Sequence, residues 1–157
     1  MTAHNTYVRG LTHGVALRYV LADVSEAAQY AQKCHSLERD AARLCSESMV
    51  ASMLMASQIK ADERLTVILS SEKPRCTFFG DVNASGQIRG KLTPSNTKYT
   101  PLNGGIQVIK HNAQTELYRG ITTLDYQDVE SALRTHLNQS VQVASALRIV
   151  IDIDDEG

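Results

Sequence analysis

Three cysteines, Cys34, Cys45 and Cys76, are the side chains of this sequence best suited to nucleophilic or redox chemistry. Their spacing argues against most of it. An odd number at such wide separations neither builds a disulfide framework nor repeats the paired spacing of a zinc site, so reduced and mostly buried thiols are expected. Cys34 alone has a chemical setting, because Lys33 and His35 flank it and nearby positive charge favours a reactive thiolate. A lone Cys-His neighbour pair still lacks the third group that would orient it for catalysis. The five histidines, His4, His13, His35, His111 and His136, include no pair at metal-ligand helical spacing and are expected on the surface or in turns. Gly80, Gly86 and Gly90 superficially resemble a phosphate-cradling loop, yet no Gly-Lys-Ser/Thr follows them, and close strand packing or turn geometry accounts for them better. The acidic run at residues 152–156 has the composition of a solvated chain end rather than of a divalent-ion site. No coherent nucleophile, base or metal set emerges, so the expectation is a binding protein without metal, cofactor or catalytic residues.

The elements that would position such groups are those of one ordinary domain spanning residues 1–157. With 157 residues and 43% hydrophobic content, the chain can remove roughly 70% of its unfolded surface from water. A net charge of -1, from 16 basic and 17 acidic residues, supplies no global field for nucleic acid or an anionic membrane. No window reaches transmembrane length, and residues 1–10 lack a basic leader and an apolar signal core, so a soluble, cytoplasmic protein is expected.

Residues 7–11 and 15–22 are β-prone runs separated by Thr12-His-Gly14 and predict an opening hairpin. Asp23 offers a cap for a first helix of about two turns over 27–34. Ser36 is placed to cap a second, longer helix, along which Ala41, Cys45, Met49, Met53 and Ala56 recur every three or four residues. Three of the four methionines, Met49, Met53 and Met55, lie here; one reading is an adaptable client-binding surface, but core filling fits a continuous apolar helix better.

The charged stretch 60–64 ends that helix, and the period then changes to two. Leu65, Val67 and Leu69 alternate with Thr66, Ile68 and Ser70. Cys76, Phe78 and Val82 share one face of the next strand, with Thr77, Phe79 and Asp81 on the other; Asn83-Ala-Ser-Gly86 turns the chain into a return strand at 87–93. Residues 94–101 have loop composition, 106–110 and 116–122 predict another hairpin, 125–136 a helix and 146–153 a closing apolar strand.

Strand alternation also selects three apolar residues on the nominally polar side of the sheet: Ile68, Phe79 and Ile109. Bordered by Arg89, Lys91 and Lys110, they would form an adhesive patch for segments that combine apolar and charged residues. A second sheet or a subunit packed on that side would bury them instead, which fits Ile68 and Ile109 better than Phe79.

Several of these stretches, notably Asp62-Glu-Arg-Leu-Thr66, Asp81-Val-Asn-Ala-Ser-Gly86 and Ile88-Arg-Gly90, resemble the amino-terminal domain of the heat-shock protein 33 family, the redox-regulated 33 kDa chaperonins. The similarity runs over roughly residues 7–152 and includes Arg9-Gly-Leu-Thr-His-Gly14, Ala41-Ala-Arg-Leu44, Ile106-Gln-Val-Ile-Lys110 and Tyr118-Arg-Gly120. Thr123-Leu-Asp-Tyr-Gln-Asp128 departs from the family's usual run before its last helix. The resemblance implies an α+β domain with antiparallel crossing β-sheets around a long central helix and shorter helices. It also implies a homodimer and an ATP-independent holdase function on unfolded client proteins. In that family a zinc module with Cys-x-Cys and Cys-x-x-Cys pairs gates the activity, and this sequence has neither pair. A holdase domain without its own redox switch is therefore the leading expectation. The alternative is a structural or regulatory dimerisation module of the same fold that holds one specific protein partner.

Overall fold

The computed structural model describes residues 6–153, so His4 and most of the acidic run lie outside the described residues. Among the described residues, seven strands form two antiparallel sheets, and three α-helices pack with them in an α+β arrangement. β1 (Thr6–Leu11) and β2 (Arg18–Asp23) make a two-stranded sheet. β3 (Arg64–Lys73), β4 (Arg75–Asn83), β5 (Ile88–Thr93), β6 (Leu102–His111) and β7 (Glu116–Gln127) make a five-stranded sheet in the order β5-β4-β3-β6-β7. Among the described residues, no helix is long and apolar enough to cross a membrane.

The first helix, α1 (Ser25–His35), is 11 residues long; Val24 rather than Asp23 takes the N-cap position, and Asp23 just before it accepts at Oδ1 from the Ser25 backbone at 2.9 Å and its hydroxyl at 2.6 Å. Ser36 does not cap the next helix. It sits in the left-handed region, with φ 49, and closes α1 by donating its backbone N–H to carbonyls of the last turn. α2 (Arg39–Met55) begins three residues later, after Glu38, and ends in a 3-10 turn, Ala56–Gln58, before the charged stretch.

α2 is the centre of the core. Ala41, Leu44, Cys45, Met49, Met53 and Met55 are all buried, so the methionines fill space rather than form a surface. Ser48 and Ser52 are buried beside them and satisfy their hydroxyls by donating to the Leu44 and Ser48 carbonyls, each at 2.7 Å. Facing them across the sheet are Leu65, Val67, Leu69, Phe78, Val82, Leu92, Ile106, Val108 and Leu124. Phe78 is fully buried; emptying such a site costs about 3–5 kcal/mol.

Gly80 and Gly90 stand opposite each other on β4 and β5. A Cβ at Gly80 would lie 2.7 Å from the Phe78 ring, and one at Gly90 2.7 Å from Met49 Cγ. The paired glycines leave the space that Phe78 and Met49 fill, which is the close-packing role expected of them. Gly86, at φ 82, turns the hairpin after Asn83, whose Oδ1 accepts from the Ser85 and Gln87 backbones.

α3 (Val129–His136) starts later than the apolar stripe suggests, because β7 continues to Gln127 and Asp128 caps the helix by accepting from the Ser131 N–H at 2.7 Å. A single π-helical turn, Leu137–Val141, follows. Residues 146–153 keep a period of two, with Leu147 and Ile149 packed on the core and Val150 exposed, yet they join no sheet among the described residues. Side chains take up part of that backbone: Glu130 Oε2 accepts from the Ile149 N–H at 2.8 Å, and Arg39 donates to the Ile153 carbonyl at 3.2 Å. His136 also departs from expectation, being fully buried rather than at the surface.

Candidate functional site

The five-stranded sheet has two unlike faces. Helices and the apolar core occupy one; the other carries the alternate residues of every strand, and its registers align them in rows across the sheet. One row runs Lys91, Phe79, Ile68, Gln107, Ile121 from β5 to β7. The next runs Arg89, Asp81, Thr66, Ile109, Arg119. Phe79 leaves 48% of its surface exposed and Ile121 leaves 66%, so this face is open to solvent at both ends of the first row. Ile68 and Ile109 are half-buried, as residues on inner strands must be when neighbours flank them on both sides.

The three apolar residues selected by strand alternation, Ile68, Phe79 and Ile109, and two of their bordering charges, Arg89 and Lys91, fall on this one face within two adjacent rows. Lys110 does not. It lies in register with Leu65 on the core side and approaches Glu63 at 3.9 Å. Ile121 was missed, although its alternation with the buried Thr122 and Leu124 is a visible signal. Nothing local in the sequence indicates that registers would carry it into the same row as Phe79.

An ion cluster around the buried Asp81 stiffens the second row. The Asp81 carboxylate accepts from Arg64 Nη2 at 2.5 Å and Nε at 3.2 Å, and from Arg89 Nε at 3.0 Å. Burial alone would raise the Asp81 carboxyl, but the hydrogen bonds and charge of Arg64, reinforced by Arg89, outweigh it and hold the group below its ordinary value. Arg89 therefore keeps a fixed base while most of its side chain remains in water. At the other edge, Arg119 is clamped by Glu116 through two hydrogen bonds of 3.0 and 2.6 Å. Thr66 Oγ1 lies 3.1 Å from His111 Nε2 between them.

Other chemistry is sparse. Cys34 is exposed on α1, while Cys45 and Cys76 are buried; burial pushes the Cys45 thiol up to about 12 and raises Cys76 as well. Among the described residues, no three His, Cys, Asp or Glu side chains converge as a metal site. A second buried carboxylate, Glu47, accepts from the Tyr99 hydroxyl at 2.7 Å and from Arg43 Nε at 3.3 Å, and the Arg43 guanidinium lies 4.3 Å from the centre of the Tyr99 ring. This cluster ties the 94–101 loop to α2 and offers no nucleophile.

The match to known proteins is consistent with this architecture. A family model described as Hsp33 protein matches residues 5–157. The chain belongs to the heat-shock protein 33 family. It is 27% identical over 135 residues to a 33 kDa chaperonin of Staphylococcus epidermidis, covering 77% of this chain and 46% of that one. A 33 kDa chaperonin of Serratia proteamaculans is 26% identical over 156 residues, covering 95% of this chain and 53% of its own length. The crystal structure of the 33 kDa chaperonin of Thermotoga maritima superposes with a TM-score of 0.85 at 17% identity, over 95% of this chain and 56% of that one. The chain thus spans about half the length of these family members, and the shared α+β fold belongs to that half.

Proposed function

We propose that this chain acts as an ATP-independent holdase domain, capturing apolar segments of unfolding proteins on the open face of its five-stranded sheet. The observation that carries this reading is the exposure of Phe79 and Ile121 on a sheet whose opposite face packs against helices. Half-buried Ile68 and Ile109 extend the apolar surface inward, and Arg89 and Lys91 supply cationic contacts along the β5 edge. An unfolded segment needs no fixed side-chain order to use such a face, because apolar burial is non-directional. The family's 33 kDa chaperonins make a client-binding role the natural one for this half of the fold. Neither nucleic acid nor a membrane enters the proposal, and the cytoplasm is its setting.

The holdase activity we propose is that of residues 1–157, whose three cysteines form no Cys-x-Cys or Cys-x-x-Cys pair. A homodimer is part of the same proposal. Leu11, Val15, Leu17 and Leu21 of the β1-β2 hairpin and its loop are 55–75% exposed, and a two-stranded sheet is marginal by itself. A second copy covering that hairpin would stabilise both.

The test is light scattering from a chemically unfolded client diluted into reducing buffer with increasing amounts of this protein. Suppression of aggregation near one dimer per client is the expected result. If folded protein gives no suppression while binding one folded partner stoichiometrically, the chain is instead a partner-specific dimerisation module.

A further inference from the structure

His136 is fully buried on the last turn of α3. Its Nδ1 lies 2.9 Å from Thr122 Oγ1 on β7, and that hydroxyl lies 3.0 Å from Ser140 Oγ in the π-helical turn. The Tyr118 hydroxyl, also on β7, donates to the Ser140 carbonyl at 3.4 Å. One polar chain therefore fastens α3 and the turn that follows it to β7, the outermost strand of the sheet. His136 Nε2 is buried with no hydrogen-bond partner among the described residues.

The network selects the neutral ring. With Nδ1–H donating to Thr122 and the Thr122 hydroxyl donating to Ser140, Nε2 carries only a lone pair, and an unmet acceptor is tolerable. A second proton would turn it into an unmatched N–H on a buried cation, which is costly. Among the described residues no counter-charge offsets that cost. On α3, Glu130 and Arg134 bind each other at 2.9 Å. On α2, Glu47 is held by Tyr99 and Arg43 and senses Asp128, at the opposite end of α3 from His136. On β6, Lys110 pairs with Glu63, and His111 meets Thr66 on the other face of the sheet. On β7, Tyr118 is the near ionisable group, its hydroxyl beside the His136 ring above Gly120, and Glu116 and Arg119 bind each other. The π-helical turn has no ionisable residue.

We propose that His136 is a proton-sensitive latch: neutral, it holds α3 and the π-helical turn on β7, and protonation releases them to uncover the apolar surface between them, Leu133 on α3 and Leu124 on β7 included. Because β7 is an edge strand, release does not dismantle the other strand pairings. Burial lowers the proton affinity of the closed imidazole, and the sign of the linkage follows. An opened form with an ordinary imidazole takes up a proton below a pH of about 6.5 while the closed form does not. Opening is thus suppressed above that pH and grows by up to about tenfold for each unit that pH falls, until the closed form itself protonates. The released surface would be distinct from the open sheet face, so this latch stands whether or not that face holds clients.

Amide hydrogen exchange between pH 7.5 and 5.5, corrected for intrinsic exchange, tests the latch on the intact chain. Opening of residues 129–141 should rise as pH falls below about 6.5, by up to about tenfold per unit. In His136→Asn the amide nitrogen can take the place of Nδ1 toward Thr122 but cannot titrate, so protection of the segment should become independent of pH. Proton NMR of the unmodified protein should show the His136 ring titrating below the ordinary imidazole value, and this measurement decides the matter if the variant does not fold. Flat exchange in the unmodified protein, the same pH dependence in the asparagine variant, or a His136 ring that titrates at or above the ordinary value would each overturn the latch.

Discussion

Replacing Phe79 with serine removes the aromatic centre of the open sheet face while leaving the core side of β4 untouched. Phe79 leaves 48% of its surface exposed. For an aromatic side chain of roughly 200 Å² this is about 100 Å². Covering all of it would be worth about 2.5 kcal/mol at roughly 25 cal/mol per Å². Association realises only part of such a figure, since ordering a client segment opposes it, so about 1–2 kcal/mol is the working expectation. That corresponds to roughly 5- to 30-fold weaker client binding. Fluorescence anisotropy with a labelled, permanently unfolded client would measure it, alongside urea unfolding of the variant to show that the fold persists. Tyr30→Ser is the control, because Tyr30 is 72% exposed but lies on α1 rather than on this face. If Phe79→Ser binds as well as the unmodified chain, or if both serine variants lose affinity equally, the open face is not where clients bind.

Ile121→Ser, at the far end of the same row, should weaken client binding to a similar degree, measurable in the same titration. Asp81→Asn should cost about 1–2 kcal/mol of stability at neutral pH by urea unfolding, toward the low end for charge-assisted hydrogen bonds because both arginines can rehydrate. The Asp81 carboxyl sits below its unfolded value, so this stabilisation is present above a pH of about 4 and fades as pH falls through the folded value; a difference between variant and unmodified protein that stays constant down to pH 2 would contradict it. A thiol reagent under native conditions should label Cys34 quickly and leave Cys45 and Cys76 silent until denaturant is added, as read by mass spectrometry. Gly90→Ala should destabilise the fold by about 1–3 kcal/mol through overpacking against Met49 and Phe78, visible as a lower urea midpoint with an unchanged slope.

Much of this molecule was legible from local pattern. The period of 3.6 along α2 and of two along β3 and β4 placed the core faces correctly, because those periods follow from backbone geometry alone. The loop chemistry of Asn83 and Gly86 likewise announced the β4-β5 hairpin. Helix boundaries were less legible: a serine before an apolar run suggests an N-cap, yet Ser36 closes α1, since which helix claims a junction residue depends on the direction in which the chain must leave. The strand pattern of 146–153 was equally clear and still paired with nothing among the described residues, because alternation specifies which side chains turn inward, while a ladder requires a free edge within reach.

What the residues determined by themselves was the set of apolar positions off the core, Ile68, Phe79 and Ile109, and the lack of any paired-cysteine zinc pattern. Only the tertiary structure decided that Phe79 and Ile121 stay exposed on one side of the sheet, that Ile121 lies in the same row as Phe79 while Lys110 turns to the opposite face, and that His136 is sealed against Thr122. Each of these depends on register and packing between segments distant in the chain, and a one-residue slip in any ladder would reverse the face of every side chain in it.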